Sequence, residues 1–107
     1  MNPVPHIDIR PEHWAIVASI LQRHLPHTAL WAFGSRARFA AKPYSDLDLA
    51  IIDTRPISLS ALAALEHDFT ESDLPFKVDL IDWAATSDSF REIIRNSHVV
   101  VWPQTAC

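Results

Sequence analysis

Glycine is almost missing from this chain: it occurs once, at Gly34, where average usage of about 7% gives roughly seven in a protein of this length. A sequence that avoids glycine elsewhere keeps this one for backbone geometry. Cysteine is equally scarce. Cys107, at the last position, has no second cysteine to pair with, which excludes an intramolecular disulfide and makes a reducing compartment, the cytoplasm, the expectation. Long apolar runs are absent too. Nothing approaches the ~18 residues of a membrane span, and no basic segment followed by an apolar one opens the chain, so it is expected neither to be inserted nor exported. An excess of positive charge is also lacking. The net charge of −4 speaks against a protein that coats nucleic acid by neutralising many phosphates. Any nucleotide bound here has to be met locally, by a few basic groups or by metal.

What is present is an ordinary globular composition, with 49% hydrophobic and 21% charged residues in 107, enough for one domain over 1–107 and no second one. Residues 1–10 read as an irregular lead-in and 103–107 as a tail. From Pro11, the positions Trp14, Val17, Ala18, Leu21 and Leu25 recur at helical spacing until Pro26 stops them. Residues 28–33 form a short apolar run before Gly34 and predict a buried strand. Ser35–Ala41 has helix-forming composition, with Ser35 as its N-cap and Pro43 beyond its end. Residues 46–53 predict a second strand, 58–69 a helix capped by Ser58 with Leu59, Leu62, Ala63, Leu65 and Phe69 on its apolar face, and 76–82 a third strand. A helix around Phe90, Ile93 and Ile94 and a strand over 98–102 complete the order. Helices alternating with strands imply an α/β (α+β) fold, a sheet of about four strands with helices packed on it.

Chemistry concentrates in the second strand. Leu47, Leu49 and Ile51 share one face, while Asp46 and Asp48 share the other. At a rise of ~3.3 Å per residue the two aspartates lie about 7 Å apart along the chain and can converge on one cation. Magnesium suits such a pair, because it is held by one or two carboxylates together with substrate phosphates. Upstream, Gly34 and Ser35 sit at a strand end, where glycine admits a phosphate to the backbone and free N–H groups attract an anion. Asp79, between Val78 and Leu80 on the third strand, is the best-placed third carboxylate, able to orient an acceptor hydroxyl and bind a second metal ion. Asp82 falls on the opposite strand face from Asp79, and Asp53 fits a turn at a strand end. The six histidines do not assemble a zinc signature: His24 and His27 straddle Pro26, and no cysteine cluster accompanies them. The four tryptophans are spread over the elements and form no stacking platform.

Gly34-Ser35, Arg36-Ala37-Arg38, Ser45-Asp46-Leu47-Asp48-Leu49 and Val78-Asp79-Leu80 together resemble the signature of the polymerase-beta-type nucleotidyltransferase superfamily. The resemblance spans roughly residues 28–102, and the short chain is similar to the minimal nucleotidyltransferases (MNT) often paired with HEPN-domain proteins in prokaryotic toxin–antitoxin systems. The run from Ser72 to Trp83 resembles the stand-alone, two-component members. The resemblance implies that Gly34 and Ser35 bind a triphosphate, with Arg36 and Arg38 at the family's basic positions and Arg36, nearer the phosphate end, favoured of the two. It implies two Mg²⁺ on Asp46, Asp48 and Asp79, ATP or another NTP as donor, and a tyrosine hydroxyl on a HEPN partner as acceptor, which makes the chain an antitoxin. Where many relatives have glycine after the second arginine, this chain has Phe39. That departure motivates a competing reading, a catalytically silent partner-binding subunit. Transfer to a small molecule or to tRNA is a third reading, opposed by the missing second domain and the acidic charge.

Overall fold

Pro11 opens the first helix because its fixed φ suits a first helical position and its missing N–H costs nothing there. The computed structural model describes residues 3–104; Met1, Asn2 and residues 105–107, the end of the expected tail with Cys107, lie outside the described residues. Helix α1 (Pro11–His24) has Glu12 in its first turn and Arg23 and His24 in its last, charges that complement the helix dipole. It buries Trp14, Val17, Ala18, Ile20 and Leu21 and ends at Leu25, which Pro26 forces out of helical geometry.

Strand β1 (Ala29–Phe33) is followed by Gly34 and a loop that leads into β2 (Leu47–Ile52). Helix α2 (Leu59–Thr70), β3 (Val78–Asp82), a 3₁₀ turn over Trp83–Ala85, α3 (Asp88–Asn96) and β4 (Val99–Trp102) complete the chain. Ser58 caps α2 as expected, accepting from the Ala61 N–H at 3.2 Å, and Ser87 caps α3 in the same way. On α2, Leu65 and Phe69 are buried, whereas Leu59 is left exposed.

The predicted helix over Ser35–Ala41 does not form. The segment makes one helical turn, closed when the Phe39 N–H donates to Arg36 O at 3.4 Å and the Ala40 N–H to Ser35 O at 2.9 Å. Phe39 has a φ of 54°, so this is a helix-terminating motif with its left-handed residue at Phe39. The Ser35 hydroxyl, expected to cap a helix, has no hydrogen-bond partner among the described residues. Without a crossover helix, β1 and β2 are antiparallel neighbours, with Phe33 opposite Asp48.

The four strands lie in the order β3-β2-β1-β4, with β2 and β3 parallel and the other pairs antiparallel. The sheet is therefore mixed, with the four strands that the alternation of elements led one to expect. Leu30, Ala32, Leu47, Leu49 and Ile51 face α1 and α2 in a core that also holds Trp14, Leu21 and Leu65. Burying each such leucine stabilises the fold by about 1.5–3 kcal/mol. On the other face Phe33 meets Phe90 of α3, ring centroids 5.9 Å apart, and Trp31 meets Trp83 at 5.2 Å. That half-covered face carries the carboxylates.

Candidate active site

Strand alternation puts Asp48 on the face opposite Leu47 and Leu49, which are fully buried. The parallel register sets Asp48 beside Asp79, and partners in such a pair point to the same side of the sheet, with strands about 4.8 Å apart. Asp46 stands exposed one residue ahead of β2. The two strand starts therefore bring the three predicted carboxylates to one end of the sheet. The charges sense one another: burial first, then the negative charges of Asp79 and Asp46, push the Asp48 carboxyl up to about 6. None of the three makes a hydrogen bond or ion pair among the described residues. Neighbouring carboxylates without a cation fit a hard divalent ion, which needs only one or two of them alongside phosphate oxygens. Among the described residues, no three His, Cys, Asp or Glu side chains are grouped closely enough to hold a metal ion by themselves, so an ion here relies on phosphate oxygens for part of its coordination.

Gly34 completes this corner. Its φ is 77°, in the region L-residues avoid. A Cβ at this position would overlap Asp48 Oδ2 and come within 3.3 Å of its Cγ. The solitary glycine is thus fixed twice, by backbone handedness and by the Asp48 side chain against it. Ser35 follows, half-buried, its hydroxyl uncommitted.

The two arginines part company. Arg36 is buried, and its guanidinium donates to Ser45 O at 2.9 Å, Asp8 O at 2.8 Å and Pro43 O at 3.2 Å. It also lies over the Phe76 ring, 4.0 Å from the centroid. The expectation that Arg36 meets the triphosphate does not fit this geometry, because the side chain is buried and all three of its nitrogens donate to carbonyls inside the fold. Arg38 is exposed and has no side-chain partner among the described residues. The sequence reading missed what Arg36 holds. Asp8 belongs to a lead-in read as irregular, yet Ile7 beside it is buried and the Asp8 N–H donates to Arg36 O at 2.8 Å. The rival acids have structural roles: Asp82 Oδ2 accepts from the Ile57 N–H at 3.2 Å, and Asp53 Oδ1 accepts from the Arg55 N–H within its turn.

Residues 16–105 match the family model described as polymerase beta, nucleotidyltransferase. The chain belongs to the polymerase-beta nucleotidyltransferase family. It is 52% identical over 101 residues to the probable protein adenylyltransferase MntA of Haemophilus influenzae, across 94% of this chain and 89% of that protein. Its fold is also that of solved toxin–antitoxin structures. One, determined with AMP-PNP, matches with a TM-score of 0.68 at 21% identity over 85% of this chain and 73% of that one. Another, the tri-AMPylated HEPN toxin of Shewanella oneidensis in complex with its MNT antitoxin, matches with a TM-score of 0.65 at 18% identity, over 90% of this chain and 74% of that one. The chain is accordingly a nucleotidyltransferase. In this family setting the corner of Gly34, Asp46, Asp48 and Asp79 is the candidate catalytic centre.

Proposed function

We propose that this nucleotidyltransferase moves AMP from ATP to a tyrosine hydroxyl of a HEPN-domain partner, with Mg²⁺ held by Asp46, Asp48 and Asp79, and that it acts thereby as an antitoxin. The observation that carries the reading is the Asp48–Asp79 pair, which meets no Lys or Arg side chain in an ion pair among the described residues and is set against Gly34. Two further facts support it. The relative from Haemophilus influenzae is named a protein adenylyltransferase, and the HEPN toxin of the Shewanella oneidensis complex carries AMP groups.

The triphosphate lies against Gly34 and Ser35, with Arg38 neutralising phosphate charge. The partner's hydroxyl oxygen attacks the α-phosphorus, the bond to the β-phosphate oxygen breaks, and pyrophosphate leaves. Asp79 orients the hydroxyl and takes its proton. Magnesium, when bound, supplies charge stabilisation to the attacking and leaving oxygens. Burial and the neighbouring carboxylates raise Asp48 to about 6, and that positive charge favours its ionised form. The activity is placed in the cytoplasm, where ATP is at hand. No helix among the described residues is long and apolar enough to cross a membrane.

The silent-subunit reading loses its motive. Phe39 adopts the left-handed conformation that glycine takes most readily and keeps the turn that closes on Ser35. The test is transfer of label from α-labelled ATP to a HEPN-domain partner, in Mg²⁺ and in EDTA. Label on the partner in Mg²⁺ alone bears the proposal out; an unlabelled partner in both defeats it.

A further inference from the structure

Tyr44 is the one tyrosine of the chain, and 76% of it is exposed. It stands at the tip of a tight turn in which the Ser45 N–H donates to Lys42 O at 3.0 Å and the Lys42 N–H to Ser45 Oγ at 2.9 Å. The carbonyls on either side of it, Pro43 O and Ser45 O, both accept from the buried Arg36 guanidinium. The turn is therefore tied to the interior while the ring stays in water. Neither packing nor hydrogen bonding within the chain accounts for a tyrosine there. Two residues on is Asp46, the first of the site carboxylates. A phenol held out on a stiff turn in the loop that leads into Asp46 is presented as a nucleophile, with little conformational entropy left to lose on engaging a donor phosphate.

We infer that Tyr44 is itself an acceptor, so that the protein adenylylates its own chain. The inference rests on the reading above, in which the site transfers AMP to tyrosine. Tyr44 Oη forms a bond to the α-phosphorus of ATP, the bond from that phosphorus to the β-phosphate oxygen breaks, pyrophosphate leaves with the electron pair, and the phenolic proton passes to water. The product is an aryl phosphodiester with one negative charge. Tyr44 borders a cleft of about 360 Å³ lined by Arg10, Arg36 and Lys42 against one acid, Asp8, a net positive surrounding that suits such an adduct.

The experiment uses the full chain with ATP and Mg²⁺, alone and together with its HEPN partner, reading the intact mass of both proteins and mapping any adduct by peptide fragmentation. The chain alone gains the mass of one AMP residue on Tyr44. The Tyr44→Phe chain gains none, keeps its Tm and modifies the partner at the wild-type rate. The Asp46→Ala/Asp48→Ala chain gains none. A chain that modifies its partner but never itself, or whose adduct maps elsewhere or persists in Tyr44→Phe, overturns the self-acceptor inference alone. A partner and a chain both left unmodified overturn the transfer reading with it.

Discussion

Asp48 and Asp79 occupy the same register position of the parallel pair β2–β3, so two carboxylates stand side by side on one face of the sheet. Burial and this neighbour raise the Asp48 carboxyl from 3.8 to about 6. The folded state therefore keeps the proton where the unfolded chain has lost it. The stability this contributes is fully present below pH 3.8 and is lost as the pH rises through about 6. In metal-free protein, Tm is expected to fall across that window. Asp48→Asn removes the slope, raises Tm at pH 7 and abolishes both transfer and any thermal shift with Mg²⁺. Thermal melts from pH 3.5 to 7.5, in EDTA and in Mg²⁺, check all three outcomes.

Gly34→Ala meets two obstacles. A φ of 77° costs a residue with a Cβ about 1–2 kcal/mol, or roughly 5–10 °C in Tm for a domain this small. The added methyl group also displaces the Asp48 carboxylate. Transfer is expected to fall far more than stability does, which parallel Tm and rate measurements will resolve.

Arg36 and Arg38 separate fold from phosphate. Arg36→Ala leaves three carbonyls without their donor and the Phe76 ring uncovered, and is expected to cost about 3 kcal/mol in denaturant unfolding. Arg38→Ala touches no contact inside the chain. It should leave the unfolding midpoint unchanged and raise KM for ATP. A fall in stability without a change in KM would mean the two roles are reversed.

Phe39→Gly removes the penalty of a left-handed residue with a side chain. The ring's contact with His6, at 4.9 Å between centroids, offsets part of the gain. Unfolding free energy should rise by about 1 kcal/mol, with transfer unaffected. Impaired transfer in this variant would show that Phe39 serves the site directly.

The carboxylate corner was legible because strand alternation is local. Leu47, Leu49 and Ile51 against Asp46 and Asp48, and Asp79 between Val78 and Leu80, are patterns of period two that survive in any tertiary context. Only the pairing of β2 with β3 lay beyond them. The loop between β1 and β2 was not legible in the same way. Ser35–Ala41 has helical composition, but the turn is ended by a phenylalanine in a conformation that composition cannot announce. Arg36 misled for a related reason. Its partners are Asp8, Pro43, Ser45 and Phe76, two of them far along the chain, and nothing within the motif tells an arginine that reaches inward from one that reaches out. The lead-in reads as merely irregular in the sequence because its docking depends on that same arginine.

The central claim, that this corner transfers AMP to a partner tyrosine, is tested most directly by the intact mass of the HEPN partner after incubation with ATP, Mg²⁺ and either the wild-type or the Asp46→Ala/Asp48→Ala chain. The account expects the partner to gain whole AMP residues, mapped to tyrosine, with the wild type only. A partner whose mass does not change with the wild type, or changes equally with the double variant, would contradict it.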